Sequence, residues 1–111
     1  MARHEFGIID STPSENDNFE DYEPEKYNCI SIDDEHIEKL MPCFEDIPTY
    51  FHRLSWEESG LNYIGITLIP PQSCQKFSGV LQKQHKAVYC ELISLFQKAE
   101  KENKFVIHYG L

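Results

Sequence analysis

The stretch Leu61-Asn62-Tyr63-Ile64-Gly65-Ile66-Thr67-Leu68-Ile69-Pro70-Pro71 decides the fold as the sequence reads it. Ile64, Ile66 and Leu68 alternate with Tyr63, Gly65 and Thr67, the period of two that marks a strand. Pro70-Pro71 stops the strand and opens a helix, because proline at a first helical position loses no hydrogen bond. Upstream, Glu57-Glu58-Ser59-Gly60 reads as a turn and Thr49–Trp56 as a second strand, so 49–69 is expected to form a hairpin.

Working outward, Tyr27–Ile32 is rich in β-branched residues and reads as a strand. Asp33 follows as an N-cap, with Asp34 and Glu35 in the first helical turn, where carboxylates meet the positive end of the helix dipole. Ile37, Leu40, Met41 and Phe44 have helical spacing, and Pro42 predicts a kink or an end near Met41. Beyond Pro71, Cys74, Phe77, Val80 and Leu81 give a helix its apolar side. A break near Gln84-His85 leads into a longer helix, Ala87–Glu102, with Val88, Leu92, Leu95, Phe96 and Ala99 as its buried stripe. Asn103 suits a left-handed C-terminal cap. Phe105–Tyr109 is a final strand.

With the two last helices taken as one broken crossover, the order is βαββαβ. That order predicts an α+β, ferredoxin-like sandwich: a four-stranded antiparallel sheet with helices on one face. Ile30, Ile32, Ile64, Ile66, Leu68, Phe105 and Ile107 are expected to face the helices. Tyr27, Cys29, Ser31, Tyr63, Gly65, Thr67, Val106 and His108 are expected on the open face, which something must cover.

Residues 1–26 read as an acidic N-terminal segment packed on a domain of residues 27–111. Its one apolar run is Phe6–Ile9, and Phe19 and Tyr22 are rings that a free tail has no reason to carry. The 111 residues suit one domain. No apolar window is long enough to cross a membrane, and Met1–Glu5 does not begin a signal peptide, so the cytoplasm is the expected compartment. There Cys29, Cys43, Cys74 and Cys90 are expected as free thiols.

Nineteen acids against ten bases give a net charge of −9. A nucleic-acid binder needs cations to displace phosphate counterions, so that class is set aside. The five histidines and four cysteines show no zinc spacing, and Asp33-Asp34-Glu35 lacks the glycine-centred loop of a calcium site; no metal or cofactor is expected. No nucleophile elbow or phosphate loop is present either.

What remains is a small protein-binding module, such as an inhibitor or immunity-type protein, for a basic protein partner. Its expected contact residues are Glu20, Asp21, Tyr22, Glu23, Tyr27 and Trp56, aromatics set among carboxylates. Two other expectations stand beside it. One is a small enzyme or ligand-binding protein with a pocket of Cys29, Tyr63 and His108 on the open face. The other is a homodimer joined through that face.

Overall fold

A computed structural model describes residues 2–111. Met1, with which the N-terminal stretch read above begins, lies outside them. The elements are β1 (Arg3–Ile9), β2 (Ile30–Asp33), α1 (Asp34–Glu38), α2 (Met41–Phe44), β3 (Pro48–Phe51), β4 (Glu57–Ser59), β5 (Ile66–Ile69), α3 (Pro71–Gln82), α4 (Cys90–Glu102) and β6 (Phe105–Tyr109). A 3-10 turn, Ala87–Tyr89, leads into α4.

The fold is α+β, but the four-stranded ferredoxin-like sandwich does not form. The sheet has six strands in the order β2-β1-β6-β5-β3-β4, and every neighbouring pair is antiparallel. Two short segments make the difference. The apolar run Phe6–Ile9 is the end of strand β1, which enters between β2 and β6, two strands that a ferredoxin-like sheet would pair directly. Phe6 stands opposite Ile30 on one side and His108 on the other. The expected turn at Glu57–Ser59 is edge strand β4, folded back on β3. Strands β3 and β5 do pair antiparallel, with Tyr50 opposite Leu68.

The expected strand 61–69 is regular only over Ile66–Ile69. Gly65 has φ +128, a conformation that side chains with a Cβ rarely adopt, and it breaks the ladder there. Proline placement holds: Pro71 starts α3. Pro42 sits in the first turn of α2, after α1 has ended at Glu38. Asn103 caps α4 in the left-handed conformation, and the Lys104 N–H donates to the Ala99 carbonyl at 2.8 Å.

All four helices pack on one face of the sheet. Phe6, Ile32, Ile69 and Val106 meet Ile37, Leu40, Phe44, Phe77, Leu81, Leu92 and Phe96 there. An aromatic row runs through this layer: Phe44 stacks on Phe77 at 4.7 Å, Phe77 on Phe96 at 5.3 Å, and Phe96 meets the edge of Phe6 at 5.8 Å. Such pairs add to the area they bury, because ring edge and ring face carry opposite partial charge.

The expected facing of β5 and β6 is reversed. Ile66, Leu68 and Ile107 point away from the helices, into a second apolar cluster with Ile9 and Tyr109. Thr67 and His108 point toward the helices and are fully buried. Both strands are apolar on both sides, so alternation in hydrophobicity did not decide the facing. The polar partners of Thr67 and His108 did, and these come from distant parts of the chain.

No helix among the described residues is long and apolar enough to cross a membrane. The four cysteines are free thiols.

Candidate functional site

The second face of the sheet has no helix on it. Its cover is the irregular segment between β1 and β2, residues 10–29, joined by the turn after β3. Phe19, Tyr27, Cys29 and Leu54 pack onto Ile9, Ile66, Leu68, Ile107 and Tyr109. Gly7 lets the cover approach: a Cβ there would lie 2.7 Å from the Tyr27 carbonyl oxygen and 2.8 Å from the Cys29 Sγ. The Phe19 N–H donates to the His52 carbonyl at 2.8 Å. The His52 ring returns an Nδ1–H to the Phe19 carbonyl at 3.0 Å. The Glu23 N–H donates to the Tyr109 hydroxyl at 3.2 Å.

This clasp sets two exposed aromatic side chains around His52. Tyr22 is 63% exposed and Trp56 42%. Tyr22 meets Tyr109 edge to face at 5.1 Å, and its hydroxyl donates to Glu5. Trp56 stacks on His52 at 6.0 Å, its indole N–H donates to Glu58 at 3.2 Å, and the Arg53 guanidinium lies 5.5 Å from its ring. Glu20, Asp21 and Glu23 flank Tyr22, and Glu57 and Glu58 flank Trp56; all five are exposed. Of the six contact residues expected from sequence, Glu20, Asp21, Tyr22 and Glu23 lie on the loop that the Phe19–His52 pair ties down, and Trp56 lies on the turn that carries His52. Tyr27 is turned to the other end of the loop. It lines a cleft of about 340 Å³ beside α4 with Ile8, Asp10 and Lys104. Charges in that cleft answer one another, since Lys104 contacts Asp10 at 3.3 Å and Glu102 at 3.1 Å.

The expected pocket of Cys29, Tyr63 and His108 is divided by the sheet. Cys29 lies under the loop, where burial first and the nearby Glu5 second push its thiol up to about 12. Such a thiol is a poor nucleophile near neutral pH. His108 and Tyr63 lie on the helix side, in a hydrogen-bonded chain that the sequence reading missed. His4 Nδ1 is 2.8 Å from His108 Nε2, and His4 Nε2 is 2.7 Å from Asp34 Oδ1. The Tyr63 hydroxyl donates to Asp34 Oδ2 at 2.6 Å. His108 Nδ1 is 3.2 Å from Thr67 Oγ1, which also accepts the Asn62 N–H at 2.8 Å.

One proton arrangement satisfies every member. The Asp34 carboxylate accepts from Tyr63 and from His4 Nε2–H. His4 Nδ1 then accepts from His108 Nε2–H, and His108 Nδ1 accepts from the Thr67 hydroxyl. Donation from Tyr63 and His4 holds the Asp34 carboxyl below its ordinary range. The same bond pushes the Tyr63 hydroxyl up to about 12. Burial, with His4 beside it, holds His108 well below its ordinary value. Burial drives the Tyr109 hydroxyl up to about 12 on the other face.

The His4–Asp34 pair is the start of a catalytic triad in composition only. Both imidazoles are fully buried, and all four ring nitrogens are engaged. No lone pair is left to activate a nucleophile or reach a substrate. What the chain does is mechanical: it ties β1, β5, β6, α1 and the Asn62-Tyr63 turn together through polar groups that would otherwise be buried without partners. A signal for it was present in the sequence. His4 shares a strand face with Phe6 and Ile8, as His108 does with Val106, so each histidine continues an apolar stripe. Among the described residues no cluster of three or more His, Cys, Asp or Glu is arranged to hold a metal ion. Comparison with protein-family models, with curated proteins and with solved structures finds no match to this chain.

Proposed function

We propose that this protein is a non-enzymatic binding module whose loop-covered sheet face docks a basic protein. The observation that carries the reading is the clasp at His52. It ties the loop that carries Glu20, Asp21, Tyr22 and Glu23 to the turn that carries Trp56, Glu57 and Glu58, and both rings stay exposed while held by ring and hydrogen-bond contacts. Interface hot spots favour tyrosine and tryptophan because they supply apolar area and a polar atom at low entropic cost. Rings already held in place reduce that cost further.

Charge distribution supports the same side. The covering segment 10–29 carries seven acids and one base, whereas residues 71–102, which form the helical layer, carry three acids and five lysines. A basic partner is therefore attracted to the loop and repelled by the α3–α4 pair, which orients the encounter.

The test combines capture with quantitative binding. Proteins retained by the immobilised chain from a cell extract at low salt are identified, purified singly and titrated against the wild type and the triple variant Glu20→Lys, Asp21→Lys, Glu23→Lys. The expected result is a purified basic protein that associates more slowly with the triple variant and shows a weaker dependence on salt. In the same assay Tyr22→Ala mainly speeds dissociation. If every retained protein, once purified, binds wild type and triple variant alike, the docking reading is wrong.

A further inference from the structure

Between the Tyr22 loop and the ends of β5 and β6 lies a cleft of about 320 Å³, lined by Glu20, Tyr22, His52, Gly65, Ile66, Tyr109, Gly110 and Leu111. We propose that this cleft is the socket for one arginine side chain of the partner; the inference rests on the docking reading and gives it a chemistry. The volume is at the low end for ligand pockets, about 300–1,000 Å³, and suits a single long side chain. Its walls divide the work that a guanidinium requires. Ile66 and Tyr109 supply the apolar floor against which the methylene stem packs. Tyr22 supplies an aromatic face. Its hydroxyl is committed to Glu5 and its ring rests on Tyr109, so the ring is fixed while most of it stays open to solvent. Glu20 supplies a carboxylate on the rim that a planar guanidinium meets with two N–H groups.

The charged neighbours are consistent with this occupant. His52 is spent on structure: its Nδ1–H holds the Phe19 carbonyl, and its Nε2 faces the Ile66 N–H at 3.5 Å. Arg53, the nearest arginine of the chain, is placed over Trp56, outside the cleft. Lys26 is paired with Glu23 at 3.6 Å and lies over Tyr27. Among the described residues no lysine or arginine lines the cleft. Arginine is favoured over lysine because its flat, weakly hydrated cation stacks on a ring and forks a carboxylate at once, whereas an ammonium is a compact, strongly hydrated charge.

The experiment is an NMR titration of the isotope-labelled full chain with Nα-acetyl-arginine methylamide, with the norleucine analogue as an uncharged probe of similar stem. Saturable shifts are expected at the amides of Tyr22, Gly65, Ile66, Tyr109 and Gly110 with the arginine probe, and weaker ones with norleucine. Glu20→Gln and Tyr22→Ala should each weaken the arginine probe by about threefold, the scale of one exposed ionic or cation–π contact. Glu91→Gln, on α4, should leave it unchanged. Equal binding of the two probes, or shifts that follow neither Glu20 nor Tyr22, overturns the socket. Failure of the docking reading looks different. The arginine probe then saturates the cleft as expected, while no purified protein separates the wild type from the triple lysine variant.

Discussion

The two faces of the sheet bury polar groups in opposite ways. On the helix side, regular elements close over Phe6, Val106 and their neighbours, and Thr67, His108, His4, Asp34 and Tyr63 form one unbroken hydrogen-bonded chain that starts at the Asn62 N–H. On the loop side, irregular backbone covers Ile66, Leu68 and Ile107, and its polar atoms are met at single points such as His52 and Tyr109. A regular layer can hold a long polar chain in register because strand and helix fix the direction of each donor. An irregular cover cannot, but it leaves side chains such as Tyr22 at the surface with defined positions. The regular side is the scaffold, and the irregular side carries the surface proposed above for docking.

The largest expected effect probes the depth of each layer. Phe77→Ala opens a hole in the middle of the aromatic row and should cost about 3–5 kcal/mol in urea unfolding. Phe19, only partly buried under the loop, should cost about 1–2 kcal/mol as Phe19→Ala, less than a fully buried ring. Equal losses would mean that the loop is as much core as the helices are.

Gly7→Ala sharpens the contrast from the other side. The added methyl collides with Tyr27 and Cys29, its nearest neighbours, both of which belong to the cover. The expected cost is about 1–3 kcal/mol, accompanied by faster amide exchange in residues 22–29. Unchanged exchange there would show that the loop does not sit tightly on the sheet.

A third prediction follows from pH. His108 has a folded pKa below its unfolded value, so at acid pH the unfolded chain binds a proton that the folded chain refuses. Its contribution is therefore fully present above the unfolded value, about 6.5, and is lost as pH falls below it, by about 1.4 kcal/mol per pH unit. Urea midpoints measured from pH 8 to pH 5 should fall along this slope, and His108→Gln should flatten it. Asp34 acts lower: its folded carboxyl is depressed, so its contribution is present above the ordinary carboxylate range and is lost as pH falls through its folded value. The smallest effect on stability belongs to Trp56→Ala, within about 0.5 kcal/mol for an exposed position, although it should weaken partner binding.

Local signals were legible where single residues carry them. Pro71, Asn103 and the apolar stripes of α3 and α4 placed their elements, because cap geometry and helical period act over a few residues; Val88, expected in the stripe of α4, is exposed instead, in the 3-10 turn before Cys90. The strand order was not legible. It depends on β1, whose seven residues Arg3–Ile9 mix Arg3, His4 and Glu5 with an apolar end, and on β4, whose Glu57-Glu58 looks like solvent-facing turn. The facing of β5 and β6 failed for a related reason. Thr67 and His108 look like surface residues until His4, far away in sequence and itself bonded to Asp34, is placed against His108. Of the proposed docking surface, the acids and rings were read from sequence, and so was the need for a cover on the open face. The clasp between Phe19 and His52 was not, since it joins residues 33 positions apart.

The most direct test of the division into scaffold and contact surface is a footprint. The labelled chain is titrated with a hexa-arginine peptide and the amide shifts are mapped. The account predicts shifts confined to residues 19–23, 52–58, 65–66 and 109–110, with α3 and α4 silent. Shifts spread evenly over every acidic stretch, or centred on the helices, would contradict it.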